Sequence, residues 1–261
     1  MSGRGVNPFD RFARLYDWEH DGYLIDIDVH VGFARRFGGP LVELACGSGR
    51  LLAPLAEAGI DVTGVDSSAP MLDRARERLA RLGLQATLVQ QSLQELSLNR
   101  LFRTILIGLD SFGLLLTRAE QVRTLRAARA HATHDARLIL DLANGNLRGG
   151  NDREELLHDL TLPDPETGRP ITKFVLRRPE PDRQLDELVF FYDEQDERGY
   201  LRRSSIELKL RWFTRNELEL LLESAGWQIQ ELYGSYELEP YGPTSERIIL
   251  IAGPSSSPAA T

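Results

Sequence analysis

The sequence predicts an α/β fold: a doubly wound, mostly parallel sheet whose last strand runs antiparallel, with an antiparallel β insertion near its end. Three observations predict it. Short apolar runs alternate with helical patterns between Pro40 and Leu142, as parallel βα units require. The first run, Leu41 to Ala45, breaks at Cys46-Gly47-Ser48-Gly49 and passes straight into a helix. The last two runs, Trp227–Tyr233 and Arg247–Ala252, have no helical segment between them, so they pair antiparallel.

The elements follow in order. Residues 8–37 are helical: Pro8 suits a helix start, and Ile27, Val31, Ala34 and Phe37 recur at helical spacing until Gly38-Gly39-Pro40. Strand 41–45 leads into helix 49–58, and strand 60–65 ends at Asp66. Helix 69–82 stops at Gly83, and strands 86–90 and 104–109 follow. Thr117 and Glu120 form a capping box for a helix reaching about 132, before a fifth strand at 137–142. Residues 147–170 are polar and proline-rich. Strand-like runs at 171–178, 184–194 and 200–211 lack intervening helices and so form the insertion. Phe174, Leu188, Phe190, Tyr192, Ile206 and Leu208 alternate there with polar residues, giving one face to be covered. Thr214 and Glu217 make a second capping box for a helix ending at Gly226. The division expected is a helical lid (1–39), an α/β core (40–146), the insertion (147–211), the rest of the core (212–252) and a disordered tail (253–261).

Composition narrows the function. The chain has 261 residues, 42% hydrophobic and 27% charged, enough to bury a full core. Its net charge of −8 argues against a nucleic-acid partner, which usually demands a basic face. No apolar run is long enough for a bilayer, and Met1 to Gly5 lack the apolar core of a leader. The lone cysteine, Cys46, permits no intrachain disulfide and reads as a small buried side chain; the expectation is a cytoplasmic protein. His20, His30 and His158 stand isolated, no metal-ligand spacing occurs, and no metal is expected.

The glycine turn carries the chemistry. Gly47 and Gly49 let backbone approach a ligand without a Cβ between them, and free N–H groups open the next helix. Asp66, at the end of the neighbouring strand, is placed to accept from a ribose diol, so a nucleoside-containing cofactor is implied. The dinucleotide fingerprint would need a third glycine where Leu52 stands. Val42 to Arg50 instead resembles the first motif of class I S-adenosylmethionine (SAM) dependent methyltransferases, E/D-x-G-x-G-x-G, and Val65 to Leu72 resembles their second. The resemblance covers residues 40–142 and 211–252, implies the Rossmann-like class I fold and SAM as cofactor, and extends to bacterial glycine-type and amino-sugar N-methyltransferases.

What the resemblance implies residue by residue follows. Ala45 replaces the first motif glycine and narrows the space beside the methionine end. Glu43 either orders the glycine loop and touches the methionine amino group or is a structural carboxylate bonded to backbone N–H groups, and Arg50 continues the motif. Asp66 binds the ribose, with Ser67 beside it, while Met71 packs on adenine or in the core. Ser92 stands where relatives have an adenine-binding aspartate; the Leu93 N–H and Gln91 are the remaining contacts. Leu109, Asp110 and Ser111 end the fourth strand beside the methyl group, where Asp110 either orients an amine or takes its proton, or else caps the helix that follows. Tyr16 either closes over the cofactor or packs in the core, and Arg211 and Tyr233 reach the acceptor. The amine-methylating Asn/Asp-Pro-Pro-Tyr/Phe motif of enzymes acting on bases or glutamine is absent, and no histidine–acid pair is visible. The reading is a methyltransferase for a small molecule, an amine rather than a hydroxyl. The alternatives are an NAD(P)-dependent oxidoreductase and a catalytically silent SAM-binding module. The insertion serves as a cap or as a homodimer face.

Overall fold

The computed structural model of the protein describes residues 7–147 and 153–255. Two helices, α1 (Pro8–His20) and α2 (Ile27–Phe37), precede the core. The core runs β1 (Leu41–Leu44), α3 (Leu52–Glu57), β2 (Val62–Asp66), α4 (Ala69–Leu82), β3 (Thr87–Gln90), β4 (Phe102–Ile107), α5 (Arg118–Ala130) and β5 (Ala132–Ala143). Next come β6 (Glu155–Pro163), β7 (Pro170–Glu180), β8 (Leu185–Gln195) and β9 (Leu201–Arg211), and then α6 (Arg215–Ser224), β10 (Trp227–Tyr233) and β11 (Arg247–Pro254).

The seven-stranded sheet has the order β10-β11-β5-β4-β1-β2-β3. Only β11 runs against its neighbours, pairing antiparallel with both β5 and β10. β1 lies between β2 and β4, and strand order reverses there, so the ligand crevice opens outside their carboxyl ends. All four residues of β1 are buried because helices cover both faces. Phe33, Leu55 and Leu79 pack on one face, and Leu125, Leu218 and Leu222 on the other. No described helix is long and apolar enough to cross a membrane.

Local signals explain most boundaries. Ser68 accepts from the Met71 N–H at the start of α4, and Gly83 ends that helix at φ 67°. Thr117 and Glu120 close their capping box. The second expected box fails: Thr214 makes no side-chain cap, because Glu217 instead takes Arg211 and, at 2.9 Å, the amide of Gln184. A guanidinium outcompetes a neutral backbone N–H for a carboxylate. α3 starts three residues later than expected, since Gly49 at φ 77° is not helical. β4 ends before Gly108, and β5 begins at Ala132, earlier than expected. The first residues of the expected tail, Gly253 and Pro254, belong to β11; residues 256–261, like 1–6 of the expected lid, lie outside the described residues.

The insertion is a separate four-stranded antiparallel sheet, β6-β7-β8-β9, one strand more than expected. β6 was hidden because it is an edge strand exposed along most of its length, with no buried alternation to mark it. Phe174 does not share the face of Phe190 and Tyr192. It pairs with Phe191 on the opposite side, where Arg203 lies 5.7 Å over its ring. Phe190 and Tyr192 face α1, whose Phe12 ring lies 6.2 Å and 5.3 Å from theirs. Lys173 and the Tyr192 hydroxyl both bond Glu19 of α1.

The chain leaves the core and returns to it at one stitched point. Asn144 bridges Phe213, and the Gly145 N–H donates to the Phe213 carbonyl at 3.1 Å. A Cβ on Gly145 would lie 2.3 Å from that oxygen and 2.7 Å from the Trp212 ring. Backbone cannot yield there as a flexible side chain would. Gly145→Ala is therefore expected to destabilise the protein by about 1–3 kcal/mol, seen as a lower denaturant midpoint. Gly168 has a φ of 69° and open space around its Cα, so Gly168→Asn, a residue that tolerates this conformation, should leave the midpoint nearly unchanged.

Candidate functional site

The loop after β1 is held by backbone conformations that few residues accept. Ala45, Gly47 and Gly49 have φ of 59°, 53° and 77°. Ala45 takes this conformation with a Cβ, which costs of order 1 kcal/mol. The Gly47 N–H donates to Asp66 Oδ2 at 2.8 Å, and the Ser68 N–H donates to Oδ1 at 2.8 Å. Asp66 thus pins the loop to the start of α4, and burial pushes its carboxyl up although these N–H donors oppose the shift. A Cβ on Gly47 would sit 3.2 Å from Met71 Cε and 4.0 Å from the Tyr16 ring. Gly49 differs from expectation: a Cβ on it would meet Ala75 Cβ of α4 at 3.2 Å, so helix packing also favours this glycine.

Glu43 is 4% exposed, and its Oε2 has no hydrogen-bond partner. Burial pushes its carboxyl up to about 8, while the Arg50 guanidinium pulls the other way. Arg50 itself bonds both oxygens of Asp26, at 2.8 Å and 2.5 Å, and the Tyr23 carbonyl at 2.8 Å. It ties the segment between α1 and α2 to the glycine loop. Tyr16 lies over Gly47 with its ring stacked on His20 at 4.1 Å, and burial raises its hydroxyl well above the usual phenol range. Asn7 reaches the exposed Ser67 at 3.1 Å, and Ser68 donates to Asp10 at 2.8 Å. Met71 and Cys46 are buried.

At the end of β3, Ser92 donates to Gln94 at 2.7 Å, and Leu93 begins a single 3-10 turn. Gln91 is otherwise engaged: its amide bonds both the N–H and the carbonyl of Ser97.

Beyond β4, Leu109 and Asp110 are both left-handed, with φ of 45° and 61°. Two adjacent non-glycine residues there store strain. Asp110 does not cap the turn Ser111–Leu114. One of its oxygens accepts from the Ala143 N–H, the other from Arg247 at 3.2 Å. Arg247 also donates to Asp141 Oδ1 at 3.0 Å and 2.5 Å. Asp141 Oδ2 receives Tyr236 at 3.1 Å and lies 3.2 Å from His30 Nε2. Burial alone would raise Asp141, yet the His30 contact and Arg247 overcome it and hold the carboxyl at about 2. The carboxyl end of the central sheet is thus one connected network.

Sequence reasoning missed this network. His30 is not isolated, and a histidine–acid pair exists, but both side chains are fully buried. The available signal was Asp141 inside the apolar run Leu138–Leu142, a costly position without partners. Asp26, His30 and Asp141 also lie within metal-ligating reach of one another, but Arg50 and Arg247 already neutralise the two carboxylates.

The expected acceptor contacts separate. Asp110, Leu142 and Ala143 line a small cleft with Asp186, Leu210, Arg211, Trp212 and Phe213. Arg211 sits there, although its guanidinium is held by Glu217 and, at 3.1 Å, by Gln184. Tyr233 is not brought to this cleft. It stacks on Phe33 of α2 at 6.1 Å and donates to Glu231 at 2.6 Å. The register shift between Ile229 and Glu231 reverses the alternation of β10 and puts Tyr233 on the face opposite Trp227 and Ile229.

The residues present fit SAM. A buried carboxylate oxygen without a partner suits an ammonium, and a glycine cradle faces a carboxylate at the next strand end. Comparisons agree. The cypemycin N-terminal methyltransferase of a Streptomyces species is 25% identical over 216 residues, 82% of each chain. An N,N-dimethyltransferase of dTDP-3-amino-3,6-dideoxy-alpha-D-glucopyranose from Streptomyces fradiae is 30% identical over 136 residues, 49% of this chain and 52% of that one. The CcbJ methyltransferase structure from Streptomyces caelestis superposes with a TM-score of 0.83 over 96% of this chain and 99% of that one, at 23% identity, and shows the fold. Residues 41–135 match the family model of the methyltransferase domain, which sets the oxidoreductase alternative aside. With that match spanning the glycine loop and the strands around the crevice, the chain is a SAM-dependent methyltransferase of the class I fold.

Proposed function

We propose that this enzyme methylates an amine of a small molecule, with the acceptor held between Asp110 and the insertion sheet. The observation that carries the proposal is the chemistry at the end of β4. The group facing the cleft is a carboxylate, Asp110, whereas the neighbouring histidine, His30, is 1% exposed and shut behind Asp141. A hydroxyl acceptor needs an accessible base of suitable strength; an amine needs only to arrive neutral and aligned. Two of the similar proteins named above are an N-terminal methyltransferase of cypemycin and an N,N-dimethyltransferase of a dTDP-linked amino sugar, which supports the same class.

Bound SAM supplies an electrophilic methyl group. In this reading Glu43 receives the cofactor's ammonium, Asp66 its ribose, and Tyr16 closes over the loop from α1. Ala45, Gly47, Gly49 and Ser67 line the path, Met71, Ser92 and Leu93 border the adenine side, and Leu109 and Ser111 flank the transfer point. Arg50 acts indirectly, by fixing Asp26 and the α1–α2 segment. Asp110 orients the amine, and its own position depends on Arg247 and the Ala143 N–H. We infer that α1 is the lid and the insertion the cap, because α1 touches the glycine loop and the insertion together. The test is methylation of an amino alcohol acceptor such as an amino sugar, with the product fragmented by mass spectrometry. A methyl group on nitrogen is expected; transfer to oxygen refutes the amine reading.

Asp110→Asn should lower kcat by about tenfold to a thousandfold while the SAM dissociation constant stays within twofold. Asp66→Ala should weaken SAM about tenfold to a hundredfold. It should also loosen the loop, because the Gly47 N–H loses its acceptor.

Glu43 gives a pH signature. In the free enzyme its pKa is about 8, against about 4.3 in an unfolded chain. Between those values the folded state holds the extra proton, so Glu43 makes stability fall as pH rises. An ammonium brought beside it pulls the pKa down, so SAM binding at pH 7 should release a proton. Calorimetry in buffers of different ionisation enthalpy should show that release, and Glu43→Gln should abolish it. Identical binding enthalpies in all buffers refute the contact.

A further inference from the structure

The insertion sheet is anchored at both ends of its inward face, and the stretch between the anchors is apolar and incompletely covered. At one end Leu210 Cδ2 lies 3.6 Å from the position of a Cβ on Gly113, close to Asp110. At the other, Ile171 and Tyr192 are buried against Phe12 and Trp18 of α1. Strand register places Val175, Leu188, Phe190, Ile206 and Leu208 on the same face between them. Val175 and Leu208 are only half-buried and join none of the packed clusters. The basic groups on or beside this face are paired except Arg202, which is exposed and lies beyond Tyr192, at the end of the face away from the cleft. Arg177 holds Asp186 at 2.8 Å, Lys173 holds Asp159 at 2.8 Å, Arg14 holds Glu194, and Arg247 is committed to Asp141 and Asp110. A nucleoside diphosphate reaching from the cleft along this stretch would need cations that are here already committed to carboxylates. At the cleft end the carboxylate open to an amine is Asp110, about a third exposed, with one oxygen held by Arg247 at 3.2 Å.

We propose that the acceptor is an amine carried on an apolar body, which lies along Val175 and Leu208 with its nitrogen at Asp110, and that a nucleoside diphosphate sugar is not the substrate. This rests on the amine reading above and narrows it. The specificity is then set by area: each methylene laid on the sheet should add about threefold to fourfold in affinity.

The experiment is calorimetric titration of the enzyme loaded with S-adenosylhomocysteine, using n-butylamine, n-hexylamine and n-octylamine, and separately uridine diphosphate. Affinity should climb along the amine series, and uridine diphosphate should give no binding heat. Leu208→Asp should flatten the series, with octylamine weakened about tenfold or more. Val175→Asp should do the same and guards against a folding defect at position 208, with unchanged circular dichroism required of both. Uridine diphosphate binding, a flat series in the unaltered enzyme, or a series unaffected in both variants overturns the proposal. The loading step separates the two levels of inference. Failure to bind S-adenosylhomocysteine removes the cofactor site itself. Normal loading with a flat amine series removes only the apolar acceptor, and leaves the nitrogen-methylation assay to judge the amine.

Discussion

The ion pair between Arg247 and Asp141 holds the functional end of this protein together. One guanidinium on β11 bridges Asp141, on β5, and Asp110, in the strained turn after β4. Asp141 in turn gathers His30 of α2 and Tyr236 of the loop between β10 and β11. Five segments far apart in sequence therefore meet through two carboxylates. Such a pair contributes little net stability relative to an apolar replacement, but removing either partner strands a buried charge and typically costs 3–5 kcal/mol. What the pair gives in return is geometry: Asp110 cannot swing away from the crevice while Arg247 holds one oxygen and the Ala143 N–H the other.

The same economy of parts recurs in α1. Its Asp17 pairs with Arg74 and Arg78 of α4, its Tyr16 covers Gly47, and its Phe12, Trp18 and Glu19 meet the insertion sheet. A helix of 13 residues has three or four turns, so its side chains can serve the cofactor loop, the core and the cap at once. The fit between glycine loop and cap is consequently one problem for the chain, not two.

Much of this was legible in the sequence because it is local. Gly83, Ser68 and the Thr117–Glu120 box mark helix ends through contacts within a few residues. The glycine turn and Asp66 are marked by backbone conformation and strand position. What stayed hidden was long-range. The partner of His30 is 111 residues away, and Arg211, which draws Glu217 from its cap, stands across an element boundary six residues before it, with Gln184 joining from 33 residues away. Tyr233 was misplaced because strand alternation fixes a face only once the register of β10 is known. β6 escaped because an exposed edge strand buries too little to imprint a period of two.

The position of β11 has a consequence for how the chain comes to be. It sits between β10 and β5, near the end of the sequence, and every residue of the insertion must be made before it can enter the sheet. Until it leaves the ribosome, β5 presents a long, apolar, unpaired edge, and Asp141 and Asp110 lack their cation. A nascent chain in that state has the properties of an aggregation-prone intermediate. The stitched exit and return at Asn144 and Phe213 keep the delay tolerable: the sheet β6–β9 pairs only neighbouring strands, so it can form during synthesis as a closed excursion and bring α6, β10 and β11 back to the waiting edge.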